Sequence, residues 1–264
     1  MEIAEKKYNK ILAGRKRRVI KRRFIVFIKV LILVIIFMGL IWGFNYFYNS
    51  SYFKISSIIF KNNNYYTLNI LEKETDINLG TNIFEVDKKT VEEKLIKNLI
   101  WLKSVNLKKV FPDRIVIEVA ERKPFIRIMA GGNFYLIDEE GIVLLKLEDK
   151  ELENYSDLIL VRNALRYSPE IGEKIAKKSI LSCGEIYETL DLEVKEEIKE
   201  AVIDNNFSAD ILFLTKKGTS IIFGSGDNIV EKNSILKQVL KQLSENNNYY
   251  SVIDIRNIDN ILIK

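Results

Sequence analysis

Apolar and polar residues are distributed along this chain in three regimes. The first is a continuous apolar window, Phe24 to Tyr48 (FIVFIKVLILVIIFMGLIWGFNYFY), whose only charge is Lys29. A helix needs about 20 apolar residues to cross a hydrocarbon core roughly 30 Å thick. Lys29 lies near one end, where its stem can carry the ammonium to the headgroups. Trp42, Tyr46 and Tyr48 crowd the other end, where amphipathic rings favour the lipid–water boundary. A core helix of a soluble domain seldom stays apolar all round for so long. A cleaved leader has a shorter apolar region and a small-residue cleavage site, whereas the window closes on Gly43-Phe44-Asn45-Tyr46-Phe47-Tyr48. The pattern predicts an uncleaved transmembrane helix over 24–48.

The second regime runs from Ser51 to Pro124 and mixes the periods of strands and helices. Phe53–Lys61 (FKISSIIFK) predicts a strand, and Tyr65–Thr75 a short helix. Asp87 is placed to cap the next helix, in which Val91, Leu95 and Leu99 share a face. Trp101–Val110 then carries Val105 and Leu107 in alternation. Arg114–Arg122 sets Ile115, Ile117 and Val119 on one side of a strand, and Phe111-Pro112-Asp113 makes the turn before it. The predicted order is strand, helix, helix, strand, strand.

The third regime is dominated by short alternating runs. Phe134–Asp138 and Ile142–Leu147 flank a hairpin turn at Asp138-Glu139-Glu140-Gly141, with Gly where a positive φ is wanted. Asp157–Arg162 predicts a strand. Ser168 and Pro169 predict the start of a helix along which Ala176, Ile180, Cys183, Tyr187 and Leu190 recur. Ile198–Asn206, Ala209–Thr215 and Thr219–Gly224 predict strands, the last two joined around Lys217-Gly218. Asn228–Leu243 predicts a helix with Leu236, Val239, Leu240 and Leu243 inward. Val252–Arg256 and Ile261–Lys264 close the chain as strands, and Asn62–Asn64 and Asn246–Asn248 suit turns.

Charge fixes an orientation for the apolar helix. Ten Lys and Arg residues precede Phe24, opposed only by Glu2 and Glu5. Under the positive-inside rule this tail stays in the cytoplasm and the rest of the chain lies outside. Of the net +5, the tail holds +8 and Lys29 one more, so everything from Asn49 onward carries about −4. The basic pI therefore reflects the membrane flank, which also favours anionic lipid, and not a nucleic-acid surface.

Candidate chemistry is sparse. With no histidine and one cysteine, the commonest general base and zinc ligand is missing and no intramolecular disulfide can form. Cys183 falls on an apolar helical face and reads as a small buried hydrophobe. Gly224-Ser225-Gly226-Asp227 lacks the ending of a phosphate loop and reads as a strand-to-helix turn. Asp138, Glu139 and Glu140 read as a solvated turn, having no metal-loop spacing. The charged runs Glu148–Glu153 and Lys195–Glu200 read as solvated surface. No cofactor, metal or catalytic residue is expected, although a spatial pair of carboxylates for glycan hydrolysis leaves no sequence trace.

The strand–helix–helix–strand–strand order just beyond a membrane helix resembles a POTRA domain, in the version found in the FtsQ/DivIB cell-division family. The matching residues are Gly80, Asn82, Ile83, Phe84 and Asp87 in LGTNIFEVD, then Trp101. Phe111, Pro112, Glu118, Val119, Glu121, Arg122 and Pro124 follow in VFPDRIVIEVAERKP. The later strands resemble the family's β domain, down to Asp254 and Arg256 near the end; beyond Arg256 the residues depart from better-known members.

The resemblance implies an α+β chain with four parts: a tail over 1–23, a transmembrane helix over 24–48, a POTRA domain over 51–123 and a mainly antiparallel β domain with two helices over 124–264. It implies a non-catalytic division scaffold, held in the cell membrane at the septum with its C-terminal side outside. Its partners would be single-pass proteins of the FtsB/DivIC and FtsL types, alongside the septal peptidoglycan synthesis machinery. The implied docking element is the last strand region: Val252, Ile253, Asp254, Ile255, Arg256, Asn257, Ile258, Asp259, Asn260 and Ile261, extending to Ile263. An exposed sheet edge accepts a strand through its backbone groups. Two other readings stay open: a POTRA protein of an outer-membrane transport or assembly system, and a membrane-anchored cell-wall enzyme.

Overall fold

A computed structural model describes residues 2–204, 210–245 and 250–264. The apolar window lies in helix α1 (Glu2–Tyr48), which also runs through the basic tail. Its Arg23–Tyr48 stretch is long and apolar enough to cross a membrane, and none of its most apolar window is buried against the rest of the protein.

The first module has the expected order: β1 (Ser57–Lys61), α2 (Leu68–Thr75), α3 (Lys88–Asn98), β2 (Leu102–Val110) and β3 (Arg114–Glu121). The sheet order is β1-β3-β2. β1 runs parallel to β3, and β2 pairs antiparallel with it. Asp87 caps α3 by accepting from the Lys89 amide. Val91, Leu95 and Leu99 pack from α3 onto Val105, Leu107, Ile115, Ile117 and Val119. At about 25 cal/mol per Å² of apolar surface, each such side chain contributes up to about 3 kcal/mol.

Two boundaries differ from the sequence reading. Ser51–Phe53 forms one 3-10 turn capped by Ser50, because the backbone of Phe53 and Ile55 is engaged by Ile83 and Thr81 of the α2–α3 loop. The strand therefore starts at Ser57. Helix α2 starts at Leu68, not Tyr65, because the amides of Tyr65 and Tyr66 donate to the Glu121 carboxylate.

The second module is a nine-stranded sheet. Its strands are β4 (Pro124–Ala130), β5 (Asn133–Asp138), β6 (Val143–Leu147), β7 (Leu160–Leu165), β8 (Ile198–Asp204), β9 (Asp210–Thr215), β10 (Ser220–Gly224), β11 (Val252–Asp254) and β12 (Leu262–Ile263). They lie in the order β12-β11-β10-β9-β8-β7-β4-β5-β6. Five neighbouring pairs are antiparallel and three parallel. Helices α4 (Lys178–Thr189) and α6 (Ile229–Glu245) bury Ile180, Cys183, Ile186, Leu236 and Val239 against Ile128, Val161, Phe213, Ile221 and Ile253 of the sheet.

Several expectations are corrected here. Strand β4 was not foreseen, nor was a third short helix, α5 (Leu192–Glu197). The strand expected at Asp157 begins at Leu160. Ser168 and Pro169 do not open a helix, and Ala176 lies exposed before α4. The intervening backbone is committed to the edge of β6: the Gly172 amide donates to the Val143 carbonyl and the Val143 amide to that of Glu173, at 2.8 and 3.0 Å. Asn205 and Asn206, Ala209 and the turn at Asn246–Asn248 lie outside the described residues.

Asp138–Gly141 is the hairpin turn expected, with Gly141 at φ 85°, but it is not simply solvated. Asp138 is buried, and its carboxylate accepts from the Glu140 and Ile142 amides. Lys103 and Arg122 of the first module reach this turn, as described below. Glu200 likewise leaves its expected solvated run: it is buried and paired with Arg162 at 2.6 Å.

Candidate partner-binding edge

The nine-stranded sheet has two edges. Along β6 one edge is covered by Gly172–Ile175. The other edge is β12, whose only strand neighbour among the described residues is β11. Strand β11 is paired on both sides: Ser220↔Val252, Ile221↔Ile253 and Ile222↔Asp254 in parallel with β10, and Ile253↔Ile263 and Asp254↔Leu262 antiparallel with β12. The open side therefore belongs to β12 and not to the VIDIR strand.

The backbone of β12 divides its groups between the two sides. Val252 and Lys264 exchange both bonds, at 3.1 and 2.9 Å. Bonded and non-bonded pairs alternate in an antiparallel ladder. Ile263, opposite Ile253, is the non-bonded member, so its N–H and C=O face outward. Leu262 and Ile263 are 49% and 39% exposed, which leaves apolar side chains on both faces of the open strand.

Behind the edge sits an ionic brace. Arg256 donates to Asp254 at 2.6 Å and to Asp210 of β9 at 3.3 Å, tying the strand's exit to the sheet. The Arg256 hydrogen bond holds the Asp254 carboxyl below the usual carboxylate range. Gly224 stands at φ 78°, and a Cβ there would fall 2.8 Å from the Arg256 Cγ, so glycine makes room for the brace. Lys232 is buried and donates to the Phe223 carbonyl at 2.9 Å; burial lowers its pKa.

The expected docking residues fall into distinct environments. Ile253 and Ile255 are fully buried, and the Ile255 amide donates to Ile222 of β10. Asn257–Asn260 form a turn in which the Asn257 side chain accepts from Asp259; Ile258 lies within it, and Ile261 packs against the core. The sequence reading placed docking on Val252–Ile261, extending to Ile263, without distinguishing which of these residues present open backbone groups. Only the two-residue register of β11 with β12 moves the open groups to the end of that region.

The resemblance residues gather at the two ends of the first module. At the helix end, the Asn82 side-chain Nδ2 donates to the Tyr48 carbonyl at 2.5 Å and its Oδ1 accepts from the Phe84 backbone amide. Gly80 donates to Ile55, and Phe84 stacks on Tyr48 and meets Phe111, next to Pro112, in a tilted contact. At the other end, Trp101 stacks on Tyr65 with centroids 4.0 Å apart and packs on Leu136 and Leu144 of the second module. Glu121 gathers the amides of 64–66, Arg122 reaches Asp138, and Pro124 opens β4. Glu118 lies between, paired with Lys108 and Lys61.

No cluster of three or more His, Cys, Asp or Glu suited to a metal occurs among the described residues. Cys183 is buried, its thiol pushed up to about 12 by burial. Gly224–Asp227 is the turn from β10 into α6, as expected.

An apolar helix long enough to cross a membrane, leading into a POTRA-type module and then a mixed sheet with one open edge among the described residues, defines a class of two-module proteins. A family model for the FtsQ-type POTRA domain matches residues 53–122, and one for the C-terminal region of cell division protein FtsQ/DivIB matches residues 126–256. The chain belongs to the FtsQ/DivIB family of cell-division proteins. It is similar to Cell division protein FtsQ of Syntrophotalea carbinolica, 37% identical over 38% of this chain and 34% of that protein. It also resembles FtsQ of Streptomyces venezuelae, 25% identical over 83% of this chain and 77% of that protein. Cell division protein DivIB of Clostridium botulinum strain Hall is 31% identical, over 39% of each chain.

Proposed function

We propose that this chain is a non-catalytic, single-pass scaffold of the division septum. The basic tail lies in the cytoplasm, α1 spans the membrane, and the two modules stand outside it, dividing near Pro124. The open side of β12 receives an extended segment of an FtsB/DivIC-type protein, itself coiled with an FtsL-type protein, and the assembly helps to control septal peptidoglycan synthesis by other enzymes. The observation that carries this reading is the outward N–H and C=O of Ile263, on a strand with exposed apolar side chains. Backbone bonds of that kind give affinity, and alternate side chains give specificity.

Imaging a fluorescent N-terminal fusion in growing cells, with depletion of the untagged protein in parallel, tests the role. The expected result is a midcell band, with filamentation on depletion. Uniform membrane fluorescence with normal division overturns it.

A further inference from the structure

The far end of α1 is continuous with an exposed aromatic tip on the first module. Phe47 meets Phe53 at 4.8 Å between ring centroids, Tyr48 stacks on Phe84 at 5.5 Å, and Phe84 meets Phe111 at 5.4 Å. Topology sets which end of the module this is. The start of β1 follows directly from α1, and its first residue, Ser57, pairs with Arg114 at the start of β3. The β2–β3 turn carrying Phe111 is therefore at the helix end. The α2–α3 loop is at the same end, because Lys54 bridges Asn82. Strand β3 runs from there toward β4 and the second module.

Four large apolar side chains face outward on this tip: Tyr52 at 64%, Leu79 at 65%, Phe84 at 38% and Phe111 at 55% exposed. At 1.5 Å per residue, the stretch from Arg23 to Tyr48 spans roughly 39 Å against a core of roughly 30 Å. Its last turns therefore reach headgroup level, and the stacked rings carry that level onto Phe84 and Phe111.

We infer that the tip formed by Tyr52, Leu79, Phe84 and Phe111 is seated in the outer lipid–water interface, fixing the angle at which the two modules stand on the membrane. The occupant of the surface is the bilayer through which α1 passes, so the inference rests on the membrane-spanning reading. Charge is not the attraction. The segments that form the tip, 52–54, 79–85 and 111–114, carry Lys54 and Arg114 against Glu85 and Asp113, so the contact draws on ring and aliphatic burial and needs no anionic lipid.

The test uses the full chain in zwitterionic nanodiscs, with an environment-sensitive dye on one engineered cysteine; the buried Cys183 stays unlabelled. Asp113→Cys reports the tip, Lys146→Cys a distant exposed site on β6, and Met38→Cys the middle of the span. Nitroxide lipids labelled at the headgroup are expected to quench the Asp113→Cys dye several-fold more than the Lys146→Cys dye. Adding the exposed substitutions Phe111→Ser and Leu79→Ser should remove most of that difference. Equal quenching at 113 and 146, with the dye at 38 quenched by mid-chain nitroxide, overturns the tip contact while leaving the span intact. A dye at 38 that mid-chain nitroxide does not reach overturns the span, and the tip contact with it.

Discussion

Arg122, the residue after β3, donates to Asp138, the last residue of β5, at 2.5 Å, and both side chains are largely withdrawn from water. The same guanidinium reaches Glu140 at 2.8 Å, and Lys103 of β2 reaches Glu139 at 2.7 Å. Trp101, whose carbonyl accepts from the Arg122 backbone amide at 2.7 Å, packs against Leu136 and Leu144. An acidic hairpin turn of one module is thus clamped by two cations of the other.

Removing one partner of a buried ion pair leaves the other charge uncompensated. Arg122→Ala is expected to destabilise the protein by about 3 kcal/mol, toward the lower end of such losses because Asp138 keeps its two backbone donors. Denaturant unfolding of the detergent-solubilised full chain measures this. Asp138→Asn, which keeps acceptor and shape, should lose less.

Acid should weaken the clamp and the brace together. Hydrogen bonds from Arg122 and then Lys103 lower the Glu140 pKa, and those from Arg256 lower that of Asp254. For carboxyls depressed on folding, the unfolded chain binds protons first. Their stabilisation is complete above the ordinary values of about 4 and is lost as pH falls through the lower folded values. Unfolding midpoints followed from pH 6 downward should drop below about pH 4, and Arg256→Gln should flatten that drop.

Gly224→Ala is expected to cost about 1–2 kcal/mol, since an L-residue resists this φ. Its Cβ would also displace Arg256 from Asp254. Thermal or denaturant unfolding gives the loss. Partner affinity should fall with it, while Gly218→Ala, also at positive φ but with no atom within 4 Å of the added Cβ, should leave the edge intact.

The lone thiol should be inert. Burial holds Cys183 near 12, so at pH 8 it is protonated and covered. Aromatic disulfide reagents are expected to leave the native protein unmodified and to titrate one thiol in denaturant. Rapid reaction of the native protein would contradict the α4 packing.

The first module was legible because its signals are local: an Asp cap, a helical face at i, i+4, i+8 and a strand with every second residue apolar. Strand β4 was not, because PFIRIMA is partly buried on both faces and carries Arg127 as its only polar residue, so it shows no apolar–polar alternation. Ser168-Pro169 carries a good local start signal, but the sheet edge claims the following amides. The acidic turn read as solvated because its partners, Lys103 and Arg122, come from another module. Both closing strands were legible, but which of them keeps an open side was not, since that follows only from the register of β11 with β12.

Proline scanning separates docking from folding. Ile255→Pro removes the bond to Ile222 inside the sheet and should destabilise the fold itself. Ile263→Pro removes only an outward donor, so it should leave the unfolding midpoint nearly unchanged and weaken binding of the FtsB/DivIC-type ectodomain.

Residue-resolved amide exchange of the full chain in nanodiscs, with and without that ectodomain, tests the central claim most directly. The Ile263 amide should exchange freely alone and become protected when the partner binds, while the Ile255 amide stays slow in both. A bound partner that leaves Ile263 exchanging freely would place docking elsewhere and contradict the account.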